Sequence, residues 1–181
     1  LLLQAFFMVV SMLKIDSIRY TINQKLILDN LCLDLAQGQF FALAGENGAG
    51  KSTLIKIILD LIRNIDAGKI HINGQDHKLK RTRGVVAYLP EKFDVKKEVS
   101  GWQYLKFICG IYQQELNKDR INNLCQLMSL DVDRLKDKVG AFSKGMKQKL
   151  GLISCFMLDT PLIILDEPLS GLDPKARFHF K

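Results

Sequence analysis

The sequence predicts an α/β fold, and three observations lead to that expectation. An apolar strand runs into a glycine-rich loop and then an amphipathic helix over residues 38–62. A second short apolar run, "PLIILDEP" (161–168), ends in two carboxylates. Between them, at roughly 95–150, the apolar spacing turns helical, so a helical insert interrupts the α/β core.

Taken in order, "LKIDSIRYTI" (13–22) and "LILDNLCLDLA" (26–36) alternate apolar with polar residues, as half-buried strands do. "GQFFALAGE" (38–46) is continuously apolar and predicts a strand buried on both faces. Leu54, Ile57, Ile58, Leu61 and Ile62 follow at helical spacing and form one core-facing stripe. "GKIHINGQ" (68–75) reads as a short strand and turn, and "GVVAYLPE" (84–91) as a strand stopped by Pro90. From about Ser100 to Leu135 the pattern is helical. Trp102, Leu105, Ile108 and Cys109 share one spacing, and Ile121, Leu124, Cys125 and Met128 another. A further helix follows "FSKG" and runs to about Leu158, with Leu150, Ile153 and Met157 on its apolar face.

Bulk properties narrow the class. With 181 residues the chain can bury one sizeable core. Its 26 Lys and Arg against 19 Asp and Glu give +7, which suits nucleic acid, an anionic membrane surface, a phosphate-rich ligand or simple solubility. Only "KLKRTR" (78–83) is a basic cluster. Cys32, Cys109, Cys125 and Cys155 form no CxxC pair, which argues against a zinc or redox motif. Each sits in an apolar run and reads as a buried thiol of a reducing compartment. The opening "LLLQAFFMVVSML" holds about 13 residues before Lys14, fewer than the roughly 20 that span a bilayer. It lacks a signal peptide's basic start. Residues 1–11 are expected to be an upstream or non-native extension, with Met12 as the native start; a swapped or edge strand is the alternative.

The loop "GENGAGKS" (45–52) fits G-x-x-x-x-G-K-[ST]. Phosphates need closely packed donors, and glycines let backbone N–H groups turn inward. The helix beginning near Gly50 adds its positive end. Lys51 would reach the β- and γ-phosphates, and the Ser52 hydroxyl would ligate Mg²⁺. The strand before the loop and the helix after it are the context this motif requires. A nucleotide site also needs a hydrophobic strand ending in an acid. "LIILDE" supplies one, 115 residues beyond Lys51. Asp166 would hold Mg²⁺, and Glu167 would polarise the attacking water.

At this point the chain, over about residues 12–181, resembles the ATP-binding-cassette (ABC) ATPases, a family of phosphate-loop NTPases. "GENGAGKST" looks like the family's Walker A, "LIILDEP" its Walker B with the catalytic Glu, and "SGLD" (170–173) its D-loop. "FSKGM" (142–146), ending 20 residues before Asp166, looks like its signature. The resemblance implies an N-terminal antiparallel β-subdomain ahead of the core. It implies that Asn47, Gly48, Ala49, Gly50, Lys51, Ser52 and Thr53 wrap ATP, with Tyr20 stacking on adenine. It also implies that Ser143, Lys144, Gly145 and Met146 touch the ATP of a second cassette. Glu91 takes the Q-loop position, where it could serve Mg²⁺, and Asp173 the D-loop position.

Two motifs depart from the commonest family pattern. The usual signature is Leu-Ser-Gly-Gly-Gln, and the usual Q-loop residue is Gln. Both variants resemble forms found in ABC-2-type export ATPases, including multidrug and antibiotic-resistance subunits. The family's switch His is expected beyond Lys181; His179 comes too early, and His71 and His77 read as surface residues. The chain as given is therefore expected to bind ATP but hydrolyse it poorly.

Three function classes follow. The first is a transporter motor at the cytoplasmic face of the cell membrane, a homodimer or heterodimer of cassettes closing around two ATPs to drive a separate permease. "FDVKKEVSGWQYLKF" (93–107) is then either permease contact or insert core. The second is a soluble ABC ATPase acting on the ribosome or nucleic acid; the spacing leaves no room for a long coiled coil, and nucleic acid is not the expected partner. The third is a P-loop kinase or GTPase, for which "SGLD" and "FSKG" have no role.

Overall fold

The computed structural model describes residues 11–46 and 48–169, with Ser11 described by its backbone alone. Residues 1–10 of the extension expected over 1–11, and Asn47, "SGLD" with Asp173, and His179, lie outside the described residues. The chain divides into two compact units between Val86 and Ala87.

The first unit is built on a four-stranded sheet in the order β2-β1-β3-β4: β1 (Ser11–Ile22), β2 (Lys25–Ala36), β3 (Ala67–Ile72) and β4 (Gln75–Asp76). All three pairings are antiparallel. The alternation at the start of β1 buries Leu13 and Ile15, which pair with Ile72 and Ile70 of β3, and a break in the ladder at Ser17, φ 51°, brings Ile18 to the buried side as well. Asn73 and Gly74 turn β3 into β4 with φ of 50° and 72°, as a tight hairpin requires. Asn23 and Gln24 do the same between β1 and β2. The helix α1 (Lys51–Ile58) follows the glycine-rich loop and buries Leu54, Ile57 and Ile58.

The second unit holds a two-stranded sheet of β5 (Val86–Leu89) and β6 (Leu162–Leu165) and three helices: α2 (Gly101–Ile111), α3 (Lys118–Leu127) and α4 (Lys144–Phe156). Ser100 and Gln103 form a reciprocal capping box at the start of α2. Leu105, Ile121, Leu135, Leu150 and Ile153 are fully buried in one cluster. These include positions marked by the helical spacing. Trp102 packs against this cluster and is half-buried. Three free thiols, Cys109, Cys125 and Cys155, lie in it as well. Burial pushes the Cys125 and Cys155 thiols up to about 11.

Four expectations are corrected. Residues 38–46 form no strand: no described strand pairs with them, and Phe40 is 94% exposed. Continuous apolarity registers the demand for cover, but a sheet neighbour must supply it. Leu61 lies beyond the end of α1 and is exposed, because the chain turns off at Leu59 and Asp60, the latter with φ of 56°. Cys32 is exposed: Leu31, Leu33 and Leu35 alternate with it, so it shares the outer face with Asp34. His77 is only 4% exposed, its Nδ1 within 3.1 Å of the Ile70 carbonyl oxygen.

Candidate functional site

The phosphate-loop motif lies in the first unit. Gly50 caps α1 from the left-handed region, φ 91°, and Gly48 precedes it at φ 85°. The first helical bond runs from Leu54 N–H to the Gly50 carbonyl at 2.8 Å, so the first-turn amides stand outside the helix's own ladder. The Lys51 ammonium folds back over the loop, donating to the carbonyls of Gly45 (2.7 Å) and Glu46 (2.9 Å). A Cβ on Gly50 would come within 3.0 Å of Leu28 Cδ2 and 3.2 Å of the Ile27 carbonyl oxygen. The loop is therefore seated on β2. Leu28 is the register partner of Tyr20, which brings that half-buried ring within one ladder step of the strand under the loop. Gly48, Ala49 and Thr53 complete the turn and the first helical residues, and Ala49 N–H bonds the Glu46 carbonyl at 3.2 Å.

The acidic pair lies in the second unit, just past β6. Asp166 is buried at 9% exposure, and its N–H donates to the Leu89 carbonyl at 2.9 Å. Glu167 is exposed and has φ of 51°, a conformation that costs a non-glycine residue strain. Tyr88 on β5 is held above the usual tyrosine range by burial and then by the charges of Asp166 and Glu91. Asp166 and the exposed Glu91, just past Pro90, thus share one electrostatic neighbourhood around Tyr88. No cluster of three His, Cys, Asp or Glu side chains able to hold a metal occurs among the described residues.

The signature stretch opens α4. Ser143 is its N-cap, and the hydroxyl oxygen accepts from Met146 N–H at 3.2 Å. Its O–H proton is still available for an acceptor outside the helix. Ser143 and Lys144 are exposed, and Gly145 and Met146 half-buried.

Residues 28–170 match the ABC transporter family. The chain belongs to that family. It is 36% identical, over 90% of its length and 49% of the relative's, to an uncharacterized ABC transporter ATP-binding protein of Nostoc sp.. It is 32% identical to the linearmycin resistance ATP-binding protein LnrL of Bacillus subtilis, covering 93% of this chain and 55% of that one. The chain thus spans about half the length of these curated relatives. A solved ABC transporter ATP-binding protein of Pyrococcus furiosus superposes with a TM-score of 0.82 at 26% identity, over 92% of this chain and 80% of that one.

The ABC ATP-binding fold accounts for the N-terminal antiparallel sheet and the helical part. Members of the family hydrolyse ATP with Mg²⁺, dimerise and work with membrane permeases. Among the described residues no helix is long and apolar enough to cross a membrane. Two participants escaped the sequence reading. Tyr88 feels the charges of both acids, and its alternation with Ala87 and Leu89 said only that it faced the other way. Gln148, 6% exposed, sends its side-chain amide to the Pro168 carbonyl at 3.1 Å. A polar residue on the buried side of an otherwise apolar helix face was the available signal.

Proposed function

We propose that this chain is the nucleotide-binding domain, over residues 12–181 with its helical part at about 95–150, of an ABC exporter's ATPase. The observation that carries the reading is the phosphate loop. An ammonium is held over a left-handed glycine turn at the open end of a helix, where a polyphosphate finds amide donors and a cation together. Lys51 would exchange its two loop carbonyls for phosphate oxygens, and Gly48, Ala49, Gly50 and Thr53, with Asn47, would supply the surrounding amides. Tyr20 would stack on adenine.

Ser52 and Asp166, with Glu91, are the residues that would hold Mg²⁺; hard carboxylate and hydroxyl oxygens suit it. Bound Mg²⁺ would neutralise charge on the β- and γ-phosphates. Glu167, exposed beside the buried Asp166, would take a proton from the attacking water. Two cassettes would close around two ATPs, with Ser143, Lys144, Gly145 and Met146 meeting the partner's nucleotide and Asp173 beside it. The motion would drive a separate permease from the cytoplasmic face of the membrane. Export rests on the Lys144 and Met146 variants of the signature, supported by the likeness to a resistance ATP-binding protein.

The test is Ser143→Arg in a Glu167→Gln background, followed by light scattering with ATP. ATP binding should persist while the ATP-dependent dimer disappears. A dimer that survives the arginine would overturn the role of the signature.

A further inference from the structure

We infer that Gln148 is a positioning residue for the Glu167 turn, tying that turn to the helix that begins at Ser143. The inference rests on the reading of Glu167 as the acid.

Glu167 holds φ of 51° and is followed by proline. A non-glycine residue keeps such a backbone only where its surroundings impose it. The structure shows two anchors, one on each side. Asp166 N–H is bonded to the Leu89 carbonyl at 2.9 Å. The Pro168 carbonyl accepts from Gln148 Nε2 at 3.1 Å. Pro168 has no N–H to donate, so its carbonyl is its one backbone handle on the turn. Gln148 is buried, and a buried amide without a partner is costly, so this bond is strongly selected over an open one.

Both anchors lead to α4. Gln148 is on it, five residues beyond Ser143. Leu89, the other acceptor, is packed against the same helix: a Cβ on Gly151 would lie 2.6 Å from Leu89 Cδ1 and 3.1 Å from the Phe93 ring. Leu150, Leu152 and Ile153 are almost fully buried, so α4 is fixed along this segment. A helix so held moves as one piece. Contact at Ser143 with a second cassette's nucleotide is thereby felt at the Pro168 carbonyl and at the acid of the same chain. Gln148 touches no nucleotide in this scheme; it acts through Glu167.

The experiment compares Gln148→Met, which keeps length and removes the donor, with Gln148→Asn, which keeps the amide but shortens its reach. ATP KM and kcat are measured on the full-length protein, with Glu167→Gln alongside, and amide exchange is followed at Glu167 and Leu169. Expected are a KM within about twofold of the parent, a kcat lower by about tenfold, and exchange at the two amides faster by a similar factor. Unchanged exchange in both variants would overturn the anchor. An unchanged kcat, with Glu167→Gln inactive, would overturn the positioning role while leaving Glu167 as the acid. Should Glu167→Gln keep its turnover, the reading of Glu167 fails instead, and the exchange rates still decide whether Gln148 holds the turn.

Discussion

The phosphate loop and the acid turn both need backbone in the left-handed region, and they reach it by different means. The loop uses glycine: Gly48 and Gly50 take φ of 85° and 91° without a side chain to clash. The acid turn uses a glutamate at φ 51°. The carboxylate proposed as the acid cannot be a glycine, and two bonds flank its turn: Asp166 N–H to the Leu89 carbonyl and Gln148 Nε2 to the Pro168 carbonyl. One geometry is written locally in the sequence; the other is imposed by tertiary contacts.

Breaking the loop's chemistry should produce the largest effect. Lys51→Ala removes the cation that answers the phosphates, and ATP affinity should fall by about a hundredfold in a nucleotide titration. Retained affinity would mean that the amides alone suffice.

The comparison itself is tested by swapping the two solutions. Gly50→Ala places a Cβ against Leu28 and Ile27 in a left-handed backbone. It should destabilise the first unit by about 2 kcal/mol in urea unfolding. Glu167→Gly should do the reverse, relieving strain and stabilising the second unit by about 1 kcal/mol or less while abolishing the acid. Equal signs for the two substitutions would contradict the contrast drawn here.

The smallest effect concerns pH. Burial holds the His77 imidazole below its ordinary 6.5, against the opposing pull of the Ile70 carbonyl and of Asp76 and Asp60; Lys78 adds to the lowering. The folded ring therefore binds a proton less readily than the unfolded one. Stability should be complete above 6.5 and decline as pH falls below it, and His77→Gln should flatten that slope in thermal melts.

What the sequence made legible follows the same division. The alternation of Leu13 and Ile15 predicted their burial, whereas Ile18, one step out of phase, is buried by the break in the ladder at Ser17. The spacing of Leu105 and Cys109, and of Ile121 and Cys125, did so for the helices. The phosphate motif was read from its letters because glycine and lysine act there locally. Features set by distant partners were not legible. Phe40 and Phe41 are apolar yet exposed, because cover depends on a neighbouring strand. His77 is buried because Ile70, seven residues earlier, offers a carbonyl. The Gln24 turn carries no glycine to announce it, although β1 and β2 impose its φ of 63°. Gln148 meets Pro168 only once α4 and β6 have packed.

The most direct test is ATP turnover and ATP affinity of Glu167→Gln, measured together in the full-length protein. Affinity should stay within about twofold of the parent and turnover should fall by at least about a hundredfold, with the ATP-bound dimer accumulating. Turnover at the parental rate, with affinity intact, would contradict the reading of Glu167 as the acid.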